Sequence, residues 1–181
     1  MSPRLRRILV GFLAGALLHQ LTLQLNHALG GWQLHVWLGG LVVALPALRF
    51  VYREGTWVVG LTGLLFDSTT PVPFGFHAAL FLLAHLVVHR VRARFATDEN
   101  IVGVFIALIA NLGLFLVFAF SRLSVLPDLG ALGLRLFSDL FLSQVLITLI
   151  GPWFFALQVR LLDLSGAGLR DDPNAPPSIH G

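Results

Sequence analysis

The sequence predicts an all-α integral membrane protein, a bundle of six transmembrane helices whose third member is short or broken. Three observations carry this. Of the 181 residues, 56% are hydrophobic and 12% charged, with a mean hydropathy of +0.84, against about 25% charged in ordinary soluble domains. The apolar residues gather into runs approaching the ~20 residues that cross ~30 Å of hydrocarbon. Those runs are separated at Gly30-Gly31, Arg53-Glu54-Gly55, the Pro71/Pro73 region, Thr97 to Asn100 and Pro127-Asp128, leaving six of them near 8–29, 33–51, 56–70, 74–91, 101–121 and 134–160. Helices are required because backbone groups in lipid must be satisfied within their own segment, and the runs lack the short alternation of a barrel. A single membrane domain over 1–164 accounts for nearly the whole chain. The remainder, 165–181, with Pro173, Pro176 and Pro177 among small and polar residues, is expected to be a disordered cytoplasmic tail.

All twelve basic residues are arginines, and they cluster at the ends of the apolar runs, as topology signals do. No basic face is left over for nucleic acid. With the N-terminus in the cytoplasm, Arg4, Arg6, Arg7, Arg49, Arg53, Arg90, Arg92, Arg94, Arg160 and Arg170 lie inside and only Arg122 and Arg135 outside, so both termini are expected to be cytoplasmic. The absence of cysteine excludes disulfides and thiolate chemistry.

The first run follows Arg4, Arg6 and Arg7 but ends on Gln20, Gln24, Asn26 and His27 without a small-residue cleavage site, so it reads as a retained helix. Gln20, Gln24 and His27, spaced by four and three, share one face, with the two glutamines expected in the polar interior of the bundle. Gly11 and Gly15 form a GxxxG step on another face, where a neighbouring backbone can approach closely; packing within the bundle is favoured over a homodimer contact. In the second helix Pro46 predicts a kink.

The third run is the irregular one. From Thr56 to Phe66 only eleven residues, with Gly60 and Gly63 among them, precede Asp67, a length that suggests a re-entrant or buried segment. Ser68, Thr69 and Thr70 can cap backbone groups, while Pro71 and Pro73 stop the helix. Asp67 has two readings, which are compatible: a ligand or partner site of the kind found at interrupted helices, or a carboxylate favourably placed at the Pro73-Phe74-Gly75 entry of the fourth helix.

On the fourth helix His77, His85, His89 and Arg92 fall within an arc of roughly 120°. His85 and His89 have a spacing that suits a metal, but neither the glutamate of an HExxH site nor a third ligand accompanies them, so His77 and His85 are expected to hydrogen-bond inside the bundle. The fifth helix offers Asn111 as an interhelical hydrogen bond. On the sixth, Arg135, Asp139 and Ser143 stack at i,i+4, where the first two can neutralise one another, and Gln144 begins a second polar face. Pro152 interrupts the hydrogen-bond ladder, and Trp153, Phe154 and Phe155 are expected to pack at that point. No nucleophile with a base, paired acid site or metal cluster is recognisable, which predicts a non-catalytic protein with no cofactor.

Gly55, Gly60, Gly63 and Asp67 in the series G-x-x-x-x-G-x-x-G-x-x-x-D, the break from Ser68 to Pro73, Phe74-Gly75-Phe76-His77-Ala78-Ala79-Leu80, and the late Gly151-Pro152-Trp153-Phe154-Phe155 before Arg160 together resemble the bacterial rod-shape-determining MreD family. Two prolines in the break and the proline-containing tail depart from that pattern. The resemblance implies a scaffold subunit of the lateral cell-wall synthesis complex, associating with an MreC-type membrane protein and, through it, with the MreB filament and the peptidoglycan polymerase and transpeptidase. Gly60, Gly63, Asp67, Pro71, Pro73, Gly75, His77, Pro152 and Trp153 would then shape the fold and its partner surface. The family is similar in fold to the substrate-binding subunits of energy-coupling-factor vitamin transporters. In that alternative a ligand pocket at the outer end would draw on Trp32, Trp37, His77, Arg135 and Asp139. A reporter fused after Gly181 should be active only when cytoplasmic; activity confined to the periplasm would require an odd number of crossings.

Overall fold

The computed structural model describes residues 2–94, 100–123 and 129–167. Over these the chain forms six helices, α1 (Pro3–Leu29), α2 (Gly39–Arg49), α3 (Tyr52–Thr69), α4 (Phe76–Val91), α5 (Asn100–Leu123) and α6 (Leu129–Leu164), with single 3₁₀ turns at Gly30–Trp32 and Arg92–Arg94. Helices α1, α4, α5 and α6 are long and apolar enough to cross a membrane. The expected separators around 97–99 and at Pro127-Asp128 lie outside the described residues, as does the tail from 168 onward. Ser165–Ala167 close α6: Gly166 takes a positive φ of 66° and the Ala167 N–H bonds back to the Leu162 carbonyl at 3.0 Å, the usual way for a glycine to end a helix.

The short helix is the second, not the third. Helix α3 is continuous over 18 residues, about 27 Å at 1.5 Å per residue, so Asp67 sits in its last turn and does not interrupt it. Helix α2 has 11 residues, about 16 Å. It is preceded by a non-helical stretch, 34–38, in place of the helix expected from residue 33. Every residue from Gly39 to Leu48 is buried, as expected of a helix that is apolar all round. Val36, Trp37 and Leu38 are buried with it. The other helices pack around this central segment, with α3, α4 and α5 its principal neighbours.

Close approach is obtained with glycine. A Cβ on Gly40 would overlap the carbonyl oxygen of Ala107, which lets α2 lie against the α5 backbone. On α3, a Cβ at Gly63 would sit 2.5 Å from the Ala78 Cα, whereas one at Gly60 would meet Leu82 at an ordinary 3.6 Å. The two glycines therefore have different roles despite their similar appearance in sequence. Gly63→Ala should destabilise the bundle by about 1–3 kcal/mol through overpacking. Gly60→Ala should be neutral or raise stability by up to about 1 kcal/mol through helix propensity. Thermal unfolding of both variants in detergent checks this; equal effects would refute the assigned contacts.

Candidate functional site

Asp67 is where the notable chemistry of the α3–α4 connection converges. At the end of α3 the hydroxyls of Ser68, Thr69 and Thr70 donate to the carbonyls of Leu65 and Phe66 at 2.7–3.1 Å, satisfying acceptors that the stopped helix leaves open. Pro71 and Pro73, both exposed, then carry the chain round to Gly75, whose φ of 94° suits a residue without Cβ. Gly75 is the N-cap of α4 and has no side chain to cap with. Asp67 does so instead: its carboxylate accepts from the backbone N–H of Gly75 at 3.0 Å, His77 at 2.8 Å and Ala78 at 3.3 Å. It also lies 2.9 Å from His77 Nδ1.

The pair is sealed. The side chains of Asp67 and His77 are 0% and 1% exposed, and Trp37, Phe66, Phe81 and Phe118 surround the imidazole with ring centroids at 5.9–6.5 Å. An acid, an imidazole and the Thr70 hydroxyl at 3.4 Å contain the parts of a proton relay, but this carboxylate spends its lone pairs on a helix end. His19, which carries no distinguishing sequence signal, joins the same region: buried in α1, it bonds Thr69 Oγ1 at 2.8 Å and lies 3.9 Å from the Phe66 ring. Outside the sealed pair, Pro71, Val72, Pro73, Phe76 and Ser121 line a shallow apolar groove, beside which Phe74 is 75% exposed.

A second constellation surrounds the entry to α2. The Asn26 amide of α1 accepts from Val36 N–H at 2.7 Å and donates to its carbonyl at 2.9 Å. From α6, Asp139 accepts the His35 N–H at 2.8 Å and Ser143 Oγ the Trp37 N–H at 2.9 Å. From α5, Asn111 accepts the Gly40 N–H at 3.1 Å. Asn111 thus bonds between helices as expected, but to backbone. The expected Arg135–Asp139 pairing is replaced: Asp139 serves His35, while Arg135 is exposed and not in the polar interior. At the other end of α2, Arg92 donates to the carbonyls of Leu48 and Phe50 at 3.3 and 3.0 Å, and His89 Nδ1 is 3.3 Å from that of Ala47. A cation at a helix C-terminus is favourable for the same reason that the acid is at an N-terminus.

Other residues distribute themselves as follows. Gly11 and Gly15 face α3, where an added Cβ would lie 3.0 Å from Val58 and Thr62 respectively. His85 is 1% exposed and stacks on Tyr52 at 5.6 Å, with Gly55 leaving room for its ring, but neither of its ring nitrogens has a hydrogen-bond partner among the described residues, contrary to the bonding expected of it. Gln144 is half-buried and donates to the Leu108 carbonyl at 3.1 Å. Gln20 and Gln24 are exposed, contrary to the interior position expected of them, because helical spacing tells which residues share a face but not where the face points. Helix α6 runs on through Pro152. Trp153 is 80% exposed and does not pack at that point; Phe155, 2% exposed, does. Sequence reading also missed the buried ion pair between Arg7 and Glu54 at 3.1 Å, whose partners stand far apart in the chain and both resemble helix-end charges. Among the described residues no group of three histidine, aspartate or glutamate side chains could hold a metal.

Comparison of the chain with protein-family models, curated proteins and solved structures gave no match. Asp67→Ala would strip an acceptor from three backbone N–H groups and leave His77 without its acid. The expected loss is about 3–5 kcal/mol, measured as a lower unfolding temperature in detergent. Asp67→Asn, which keeps one carbonyl oxygen, should lose less. Wild-type stability in Asp67→Ala would mean the capping arrangement contributes nothing.

Proposed function

We propose that this chain is a non-catalytic scaffold subunit of the bacterial cell-shape complex, the machinery of lateral peptidoglycan synthesis in the inner membrane, with both termini cytoplasmic. The observation that carries the reading is the use made of Asp67. The acid at the centre of the MreD-like motif is spent on the start of α4, and what the capped turn offers outward is an apolar groove with the exposed Phe74 beside it. A motif whose polar residues are consumed internally while its loop exposes apolar surface fits a docking role better than a reaction. In this reading the partner is an MreC-type membrane protein, which links the chain to the MreB filament and the peptidoglycan polymerase and transpeptidase.

The alternative, a substrate-binding subunit of an energy-coupling-factor transporter, draws less support. Of the five residues available for its pocket, Trp37 and His77 are packed in the core, Asp139 serves the His35 backbone, and Trp32 and Arg135 are exposed. A small-molecule site needs its polar groups to converge on one cavity, and these are dispersed.

Two experiments bear on the choice. Depleting the chain in a rod-shaped host should turn rods into spheres, and affinity purification from mild detergent should recover the MreC-type protein. In the complemented strain a Phe74→Asp change in the exposed loop should reduce that recovery while leaving the thermal stability of the chain unchanged. Rods that keep their shape, with a pair of ATPases and a bound vitamin in the purified material, would refute the scaffold and support the transporter.

A further inference from the structure

Helix α1 carries an unpartnered seam. Leu13, Leu17, Gln20, Gln24 and His27 follow one another at spacings of four, three, four and three, the alternation that keeps side chains on the contact line between two supercoiled helices. All five are exposed. Leu13 and Leu17 are 61% and 55% accessible, and neither Gln20 nor Gln24 makes a side-chain hydrogen bond to another described residue. Counting from Ile8, the first residue past the arginines, Gln20 lies about 18 Å and Gln24 about 24 Å into a hydrocarbon core of about 30 Å. Two primary amides at that depth, facing away from their own bundle, are costly in lipid and are stabilised by a second helix bearing hydrogen-bonding groups at the same level.

We propose that this seam is the interface of a parallel, two-fold symmetric dimer of the chain, in which Gln20 and Gln24 of one copy hydrogen-bond Gln20 and Gln24 of the other. The second copy is singled out by three features. A primary amide is both donor and acceptor, so glutamine is complementary to itself, as acids and bases are not. Two copies inserted with the same topology present α1 in parallel and at equal depth, and a two-fold axis brings each seam residue against its own counterpart, so amide meets amide and leucine meets leucine without any shift in register. The other close-packing face of α1, with Gly11 and Gly15, is already filled by Val58 and Thr62 of α3, so the dimer does not compete with the fold.

The chain contains no cysteine, so single cysteines report directly. In native membranes under mild oxidation, Leu13→Cys and Leu17→Cys should form disulfide-linked dimers of the chain. Leu21→Cys and Ala28→Cys, also exposed but flanking the seam, should do so at least about fivefold less, following the geometry of a packed helix pair. The Gln20→Leu, Gln24→Leu double variant should shift the monomer–dimer equilibrium in liposomes towards monomer by about tenfold, corresponding to about 1.4 kcal/mol, with the unfolding temperature of the monomer unchanged. A monomer at all protein-to-lipid ratios, crosslinking that does not distinguish seam from flank, crosslinking of the seam cysteines only to a different protein, or an unaltered dimer fraction in the double variant would each overturn the proposal.

Discussion

Backbone groups at the ends of buried segments are satisfied here by side chains borrowed from neighbouring helices, and the rest of the structure depends on that exchange. A helix leaves four N–H groups and four carbonyls unpaired at its ends, and in a water-free setting each costs several kcal/mol. In soluble proteins the residue beside the helix commonly supplies the cap. At the starts of α2 and α4 the flanking residues are Leu38 and Gly75, which form no side-chain cap. Asn111 and Asp67 reach across from α5 and α3 instead. Each such bond joins two helices as well as ending one, so the polar residues of the interior determine which helices are neighbours.

The arrangement also explains why α2 can be both short and central. Eleven helical residues rise only about 16 Å, about half of a ~30 Å hydrocarbon core, and a non-helical stretch leads into them. Irregular backbone at membrane depth is tolerated only where protein surrounds it. Here it is surrounded: Asn26, Asp139 and Ser143 take up its N–H groups on one side, and the ring of Trp37 packs against Phe81 and Phe118 on the other. Gly40 lets the following helix lie directly on α5.

The six helices were legible because charges, glycine or proline separate the apolar runs and hydropathy reads such runs without knowing their neighbours, although Arg53, Glu54 and Gly55, expected between helices, fall in the first turn of α3. The capping role of Asp67 was legible as one of two readings, since the acid and the helix start it serves stand only eight to eleven residues apart. The break before α2 was not. Leu34, Val36, Trp37 and Leu38 are apolar like the helix they precede, and of the groups that hold this stretch only Asn26 is near in the chain, ten residues upstream on α1, while Asp139 and Ser143 lie 104 and 106 residues from their partners, on α6. Asp67 and its prolines therefore drew attention to the wrong helix. The same limit applies to Arg135 and Asp139: spacing on one helix made them partners, and a backbone N–H from a distant segment took the acid away.

The completion of α2 depends on a segment far later in the chain. A segment entering a bilayer can settle as an independent helix and meet its neighbours afterwards, but two backbone N–H groups of the stretch leading into α2, those of His35 and Trp37, have their acceptors on α6. A chain that ends at residue 123 does not yet contain Asp139 or Ser143, so the acceptors that the His35 and Trp37 amides have in the folded structure are missing until α6 is made. Helix α2 thus has its full set of backbone partners only once α6 is in place.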